Sequence, residues 1–162
     1  MTTYKGVDPY ATVRERLNSL FRQTESLLAL FDGVCAALTA TLPHYTWAGI
    51  YLVEGDELVL AAWCGPAPTR HVRIPVGEGI CGYAAATGES IIVPDVARNP
   101  RYLECFAETR AEIVVPIIAG DRVLGEIDVD ANHLNAFGAA DQELLEEVAR
   151  RLADVMVKAD RA

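Results

Sequence analysis

Two apolar segments near residue 120 constrain the fold more than any other part of the sequence. "AEIVVPIIAG" (111–120) and "RVLGEIDVDA" (122–131) are rich in β-branched residues, and the turn-forming stretch "AGDR" connects them. Such a pair predicts two antiparallel strands joined by a hairpin. A sheet that contains this hairpin must bury at least one of its faces, so the other elements of the chain are expected to pack against it.

Three acidic residues alternate along the second of these strands. Glu126, Asp128 and Asp130 are separated by Ile127 and Val129. Successive side chains of a strand point to opposite faces, so the three carboxylates should share one face and the two aliphatic side chains the other. The acidic face is either solvated or part of a pocket in which a cation or retained protons relieve the repulsion. The poor fit of Asp to strands favours the pocket.

Hydrophobic periodicity predicts the remaining elements. Residues 24–42 and 140–158 carry apolar side chains at spacings of three and four, which is typical of amphipathic helices, and a weaker helical pattern precedes the first. Four further strands are predicted at "WAGIYLV", "DELVLAAWC", "RHVRIPV" and "SIIVPDV". "GEGICGYAAATGE" predicts a tight loop and a short helix that ends at Gly88, and "ARNPRYLECFAETR" predicts a loop with one or two helical turns.

This order of elements predicts an α+β fold in a single domain spanning residues 1–162. N-terminal helices occupy about 10–42, the sheet and pocket loops about 46–131, and a C-terminal helix about 140–158. The sheet is expected to be antiparallel and six-stranded, with helices packed on one face. The other face is then free for a pocket roofed by the irregular segment 64–110.

Composition limits the range of functions. The chain has 14 Lys and Arg against 23 Asp and Glu, a formal net charge of −9, which would repel a nucleic-acid backbone. The start "MTTYKGVDPY" lacks a basic end followed by an apolar run, and no apolar stretch is long enough to span a bilayer. We therefore expect a cytoplasmic protein that binds neither nucleic acid nor membrane.

The four cysteines have different sequence contexts. Cys35 lies on the apolar stripe of a predicted helix and is interpreted as a core residue. Cys64 ends a strand, where a structural role is favoured. Cys81 lies near a predicted helix start, where backbone N–H groups favour a thiolate. Cys105 lies in the irregular segment, on no periodic face, so burial as a small apolar residue does not explain it.

Three residues on the other central strands are further candidates. Trp47 and Tyr51 share one face of the first predicted strand. They are interpreted either as core residues or as the apolar wall of a pocket. Glu112 lies at the start of the strand that precedes the acidic strand. It is interpreted either as a solvated strand end or as a pocket residue.

Several of these motifs together resemble the GAF domain family. The resemblance runs from about Phe21 to the C-terminal helix and is carried by "YTWAGIYLVEGDELVL", "VRIPVGEGICGYAA", "VPDV", "AEIVVPII" and "VLGEIDVDA", together with the spacing from Cys105 to Glu112. The sequence is similar in particular to the free methionine-(R)-sulfoxide reductases, which are stand-alone GAF proteins. The resemblance implies thiol-dependent reduction of free methionine (R)-sulfoxide without a cofactor. A thioredoxin-like reductant and possible homodimerisation are implied as well.

The resemblance also implies roles for individual residues. Cys105 would be the nucleophile and Cys81 a second active-site thiol. Five residues would surround the substrate: Trp47, Tyr51, Glu112, Asp128 and Asp130. His71 stands where many members have a third cysteine, which leaves a non-catalytic GAF sensor or binding module as the alternative. A divalent metal held by Glu126, Asp128 and Asp130 is a third interpretation.

Overall fold

Six antiparallel strands form one sheet. The protein, seen in a computed structural model, is described over residues 6–162, so half of the segment "MTTYKGVDPY" lies outside the described residues. The strands are β1 (Trp47–Glu54), β2 (Glu57–Cys64), β3 (Arg73–Pro75), β4 (Ile91–Val93), β5 (Ala111–Ala119) and β6 (Arg122–Ala131). Their order across the sheet is β3-β2-β1-β6-β5-β4, with every neighbouring pair antiparallel. The predicted α+β class and six-stranded antiparallel sheet are confirmed.

Four α-helices accompany the sheet in the described part of the chain. They are α1 (Pro9–Gln23), α2 (Leu27–Thr41), α3 (Gly79–Thr87) and α4 (Ala139–Asp160). Helix α2 begins three residues later than predicted because the Ser26 side chain accepts a hydrogen bond from Ala29 N and caps the helix there. Helix α3 ends at Gly88 as predicted, in a left-handed conformation with φ of 70°. None of these helices combines the length and apolarity that a membrane crossing needs.

One predicted strand is shorter in the structure, and one irregular segment is as predicted. "RHVRIPV" contributes only Arg73–Pro75 to the sheet, and residues 96–110 contain a single 3₁₀ turn at Val96–Arg98. The strand is short because the chain before it is held over the sheet, where the Tyr51 hydroxyl donates to the His71 carbonyl at 2.7 Å. The segment that precedes β3 therefore forms part of a roof and cannot extend the sheet edge.

The two faces of the sheet bury different layers. The main core lies between the sheet and helices α2 and α4, with α1 packed on α2, and includes Ile127 and Val129, both fully buried. A second, smaller cluster lies on the opposite face beneath α3 and includes Tyr51, Cys81 and Val114. The long helices thus share one face, as predicted, and only the short α3 packs on the other.

Asp141 joins three parts of the main core. Its side chain is buried and accepts hydrogen bonds from Tyr10 Oη at 2.8 Å, Tyr45 Oη at 3.0 Å and Gly138 N at 2.9 Å, and it pairs with His44 Nε2 at 2.8 Å. Burial acts to raise the pKa of this carboxyl, but these hydrogen bonds outweigh it and lower the pKa below its ordinary value. Asp141 therefore fastens α1 and the α2–β1 connection to the start of α4.

We expect Asp141→Ala to lower the free energy of unfolding by about 1–3 kcal/mol, because two phenol groups lose a charged acceptor in a buried place. The folded-state pKa of Asp141 is lowered, so its contribution is present above the unfolded-state pKa and disappears as the pH falls through the folded value. Denaturant unfolding at neutral pH measures the loss. Asp154→Ala, at an exposed position on the same helix, is the control, and equal stabilities of the two variants would contradict the prediction.

Candidate active site

The register of the three central strands brings the predicted site residues onto one face. Directly opposite residues of an antiparallel pair share a face of the sheet. Three rows cross β1, β6 and β5 in this way: Trp47, Asp130 and Glu112; Gly49, Asp128 and Val114; Tyr51, Glu126 and Pro116. The alternating acids therefore lie on the face beneath α3, and Ile127 and Val129 on the face beneath the long helices, as the alternation predicts.

The four acids on this face are buried. Glu126 is 0% exposed, Asp130 is 4% exposed, and Glu112 and Asp128 are each 5% exposed. These values exclude both solvated interpretations, that of the acidic strand face and that of Glu112 at the strand entrance. Burial of several carboxyls side by side is costly unless protons or a cation relieve the repulsion. The face is therefore built to hold protons or to receive a cation.

A small cavity opens between the sheet, α3 and the loops that follow β2 and the 3₁₀ turn. Its lining consists of Tyr51, His71, Ile74, Ile80, Cys81, Leu103, Cys105, Glu112 and Asp128. The sulfur of Cys81 and one carboxylate oxygen each of Glu112 and Asp128 lie within 4.8 Å of one another. Both thiols therefore face the same small space, with two acids between them and the sheet.

Trp47 and Asp130 are the two predicted substrate-binding residues that do not line the cavity. They lie beside it, in the same row as Glu112. The Trp47 ring stacks on Trp63 with centroids 6.5 Å apart and lies 6.0 Å from Phe106. The ring passes directly over Gly49, where any Cβ would come within 2.3 Å of it. The structure thus brings all seven predicted residues onto one face, and their roles remain predictions.

Unpartnered polar atoms are concentrated at this face. Within residues 6–162, six buried side-chain nitrogen or oxygen atoms lack a hydrogen-bond partner. They are Trp47 Nε1, Tyr102 Oη, Glu112 Oε2, both carboxylate oxygens of Glu126, and Asp128 Oδ1. Folded proteins leave few such atoms, and a set confined to one place indicates a site that a polar ligand completes. This is the strongest structural mark of function in the molecule.

The environment of the acids favours their protonated forms. Burial is the main cause that raises the pKa of each of the four carboxyls above its ordinary value. The negative charge of Asp128 raises the pKa values of Glu112, Glu126 and Asp130 further. Protons shared among these acids therefore relieve the crowding and form a store of acid protons beside the thiols.

The same environment disfavours thiolates. Burial, followed by the charges of Asp128, Glu126 and Glu112, raises the pKa of Cys81 well above its ordinary value. Burial also raises the pKa of Cys105 to about 12; a hydrogen bond with Thr69 opposes the shift, and Asp128 adds to it. The expectation that the helix start makes Cys81 a thiolate is therefore wrong for the unliganded protein. A positively charged ligand among the acids would lower both thiol pKa values.

The other two cysteines lie on the opposite side of the sheet. Cys35 is fully buried in the main core, as predicted. Cys64 is paired with Ala48 in the β1–β2 ladder and packs against that core, where Thr39 Oγ1 donates to its sulfur at 3.2 Å. Because the sheet separates Cys64 from the cavity, it cannot replace a missing active-site thiol without rearrangement of the fold.

The metal interpretation named the wrong set of residues. Glu126, Asp128 and Asp130 follow one another along β6 in three successive rows and do not converge within the described residues. Of these three, only Asp128 joins the close group with Cys81 and Glu112. The pairing of neighbouring strands determines which acids meet, and sequence spacing does not show that pairing.

The roof of the cavity contains the residues that the sequence did not reveal. His71 Nε2 lies 3.1 Å from the Glu104 carbonyl oxygen, which joins the loop after β2 to the loop that carries Cys105. Thr69, 6% exposed, receives a hydrogen bond from His71 N at 3.0 Å. Tyr102 and Leu103 complete this layer. No periodic pattern marks these residues, and the contact between His71 and Glu104 joins loops 33 positions apart in the chain.

An antiparallel sheet with long helices on one face and a loop-covered small-molecule cavity on the other defines the GAF class of domain. The model of the GAF domain matches residues 24–157. The chain belongs to the GAF domain family, in the group that contains the free methionine-R-sulfoxide reductases.

Three relatives illustrate the match. The free methionine-R-sulfoxide reductase of Escherichia coli is 32% identical over 151 residues, which are 93% of this chain and 90% of the relative. The structure of the Neisseria meningitidis free methionine-R-sulfoxide reductase in complex with its substrate has a TM-score of 0.87 at 33% identity, over 99% of this chain and 98% of that one. A putative GAF sensor protein from Burkholderia vietnamiensis has a TM-score of 0.86 at 33% identity, over 95% of this chain and 97% of that one.

The buried acids predict a pH-dependent stability. Their folded-state pKa values are raised, so the folded chain holds more protons than the unfolded chain. The stabilisation that these acids give below their unfolded-state pKa is therefore lost as the pH rises towards their folded-state pKa. We expect the temperature midpoint of thermal unfolding to decrease as the pH is raised from about 5.5 to about 8, and to decrease less in Glu112→Gln. Glu108→Gln, at an exposed position in the loop before β5, should show the same change of the unfolding midpoint with pH as the native chain. Parallel profiles for the native chain and Glu112→Gln would contradict the prediction.

Proposed function

We propose that this protein reduces free L-methionine (R)-sulfoxide to methionine, with Cys105 as the nucleophile and Cys81 as the thiol that resolves the oxidised enzyme. The observation that carries the proposal is the meeting of two thiols and a set of buried acids around one small cavity. The reductases among the relatives support it, since the chain matches them over nearly its whole length.

Substrate binding is assigned to the acids and the aromatic residues. A free amino acid carries an ammonium group, and Glu112, Asp128 and Asp130 would bind it as a group of carboxylates. Trp47 and Tyr51 would pack against the hydrocarbon part of the substrate. A methionine sulfoxide inside a peptide has no ammonium group, so the acids would select the free amino acid. The unpartnered oxygens of Glu112 and Asp128 support this assignment.

Chemistry would begin with proton transfer from the acid cluster to the sulfoxide oxygen. The sulfur of Cys105 attacks the sulfoxide sulfur, and the Cys105 thiol proton passes to the acid cluster. The protonated oxygen then moves to the Cys105 sulfur, which becomes a sulfenic acid, and methionine leaves. The sulfoxide is reduced by two electrons, and the Cys105 sulfur is oxidised by the same two. The ammonium group of the bound substrate would offset the high pKa of Cys105, because it neutralises charge on the acids around the thiol.

Recycling would pass through a disulfide. The thiol of Cys81 condenses with the Cys105 sulfenic acid, water leaves, and a thioredoxin-like reductant reopens the bond by thiol–disulfide exchange. Cys64 lies across the sheet and His71 stands at the roof, so Cys81 is the second thiol that faces the cavity. We further propose a cytoplasmic, antioxidant role and homodimerisation through the terminal helices.

The competing function is that of a sensor that binds a small molecule and leaves it unchanged. The similarity to a putative GAF sensor protein favours this candidate. Methionine or a nucleotide would then bind at equilibrium, and no thiol would be consumed. Titration of free thiols after mixing with methionine (R)-sulfoxide separates the two functions, because only the reductase loses two thiols per methionine formed.

Substitution of the thiols tests the assigned roles. We expect Cys105→Ser to reduce methionine formation to the level without protein, because serine cannot form the oxidised sulfur intermediate. Cys81→Ser should still release methionine in the first turnover and retain slower turnover with a small thiol such as dithiothreitol. Methionine is measured by chromatography, and Cys64→Ser, on the opposite face of the sheet, is the matched control. Full turnover in Cys105→Ser would remove Cys105 from the mechanism.

Selectivity for the free amino acid tests the role of the acids. N-acetylation removes the positive charge of the substrate, and a hydrogen-bonded charge contact contributes about 1.5–3 kcal/mol. We therefore expect kcat/KM for N-acetyl methionine (R)-sulfoxide to be lower by about 10- to 100-fold than for the free form. Equal values of kcat/KM for the two substrates would show that the acids do not bind the ammonium group.

A further inference from the structure

One thiol and two acids of the cavity come together from three different elements. Cys81 lies in the first turn of α3, Glu112 on β5 and Asp128 on β6. The Cys81 sulfur and one carboxylate oxygen of each acid all lie within 4.8 Å of one another, and the thiol donates to Glu112 Oε1 at 3.8 Å. Within residues 6–162 this is the one group of three thiol, imidazole or carboxylate donors that lie so close together.

The spacing of these atoms is close to that of a tetrahedral zinc site. Zn–S and Zn–O bonds of about 2.3 and 2.1 Å at tetrahedral angles place a sulfur ligand about 3.6 Å from an oxygen ligand. The distance of 3.8 Å between Cys81 Sγ and Glu112 Oε1 is nearly the same. A metal ion can therefore replace the thiol proton between these two atoms with only a small movement of the side chains.

The acids of this group also have oxygens without partners. Glu112 Oε2 and Asp128 Oδ1 are buried and have no hydrogen-bond partner, and each of the two residues is 5% exposed. Unpartnered carboxylate oxygens beside a buried thiol are costly to the fold, and a bound cation removes that cost. The unpartnered oxygens and the spacing of the donors therefore point independently to a positively charged ligand.

Regular elements hold the three side chains in place. Glu112 and Asp128 are diagonal neighbours on paired strands, because Glu112 lies opposite Asp130 and Asp128 lies opposite Val114. Gly82 lets α3 begin close to the end of β3, since a Cβ there would lie 2.6 Å from a backbone oxygen of that strand. Ligands on strands and helices are positioned more precisely than ligands on loops, so the group is prepared for a small ion.

We propose that Cys81, Glu112 and Asp128 bind Zn²⁺ through one sulfur and two oxygens, at the place that the proposed function assigns to the ammonium group of the substrate. The Zn–S bond forms as the Cys81 thiol releases its proton to the solvent, and a water molecule completes the tetrahedron on the cavity side. The sulfur ligand selects Zn²⁺ over Mg²⁺ and Ca²⁺, which prefer oxygen ligands throughout.

Bound zinc would inhibit the reductase. It would occupy the thiol that resolves the Cys105 sulfenic acid and two of the acids that bind the substrate. This consequence rests on the proposed function, whereas the metal site itself does not. Three protein ligands leave one coordination position open, so the ion should exchange with the solution, and zinc and the substrate should exclude each other.

Cobalt substitution tests the site, because Co²⁺ takes the place of Zn²⁺ and a Co–S bond has its own charge-transfer absorption band. Reduced protein is titrated with Co²⁺, and Zn²⁺ is then added to displace it. We expect the band in the native chain and in Cys105→Ser, and no band in Cys81→Ser. Glu112→Gln should bind Co²⁺ about 100-fold more weakly, because loss of even an outer-shell partner costs about 10- to 100-fold in metal affinity. Glu108→Gln, at an exposed position in the loop before β5, should bind as the native chain does.

Four results would overturn this inference: no band in the native chain, a band retained in Cys81→Ser, a band lost in Cys105→Ser, or displacement of Co²⁺ by Mg²⁺ as readily as by Zn²⁺. A competition experiment separates the metal site from the proposed function. Free methionine (R)-sulfoxide added to Cys105→Ser, which cannot turn it over, should lower the apparent affinity for Co²⁺. If the band has its native strength and the sulfoxide does not compete, the metal site stands and the ammonium assignment of the proposed function fails.

Discussion

Burial of four carboxyl groups on one face of the sheet is the constraint on which the rest of the molecule depends. A carboxylate in a poorly solvated place must retain a proton, meet a cation or destabilise the fold. Residues 6–162 place no Lys or Arg side chain in the cavity lining, so retained protons must relieve the repulsion in the unliganded protein. The raised pKa values of the acids and thiols and the unpartnered polar atoms are consequences of this arrangement.

The opposite face of the sheet supplies the stability that this arrangement costs. Helices α2 and α4 cover it with a continuous apolar core, α1 packs on α2, and the buried acid in that half, Asp141, accepts hydrogen bonds at both of its oxygens. Its pKa is lowered where those of the acids beneath α3 are raised. The two cases differ in the number of donors: Asp141 meets donors from three parts of the chain, whereas Glu126 meets none. The chain thus separates a stabilising layer from a reactive one.

Local sequence patterns were sufficient for the central strands and for their faces. Alternation along "GEIDVDA" placed Glu126, Asp128 and Asp130 on one side, and the hairpins gave an antiparallel order that the structure confirms. The roof was not predictable, since His71 is held there by a contact with the Glu104 carbonyl of a loop distant in the chain, and no local pattern marks Thr69 or Tyr102. The protonation state of Cys81 was predicted wrongly because a helix start is visible in sequence, whereas full burial beside three acids is not.

The two thiols have different electrostatic surroundings. Burial raises the pKa of the half-buried Cys105 thiol, and Thr69 and Arg70 both oppose that shift, whereas burial and the neighbouring acids all raise the pKa of Cys81 under α3. No group around Cys81 offsets its raised pKa in this way, so Cys81 depends more than Cys105 on protonation of the neighbouring acids, or on a bound cation, to become a thiolate.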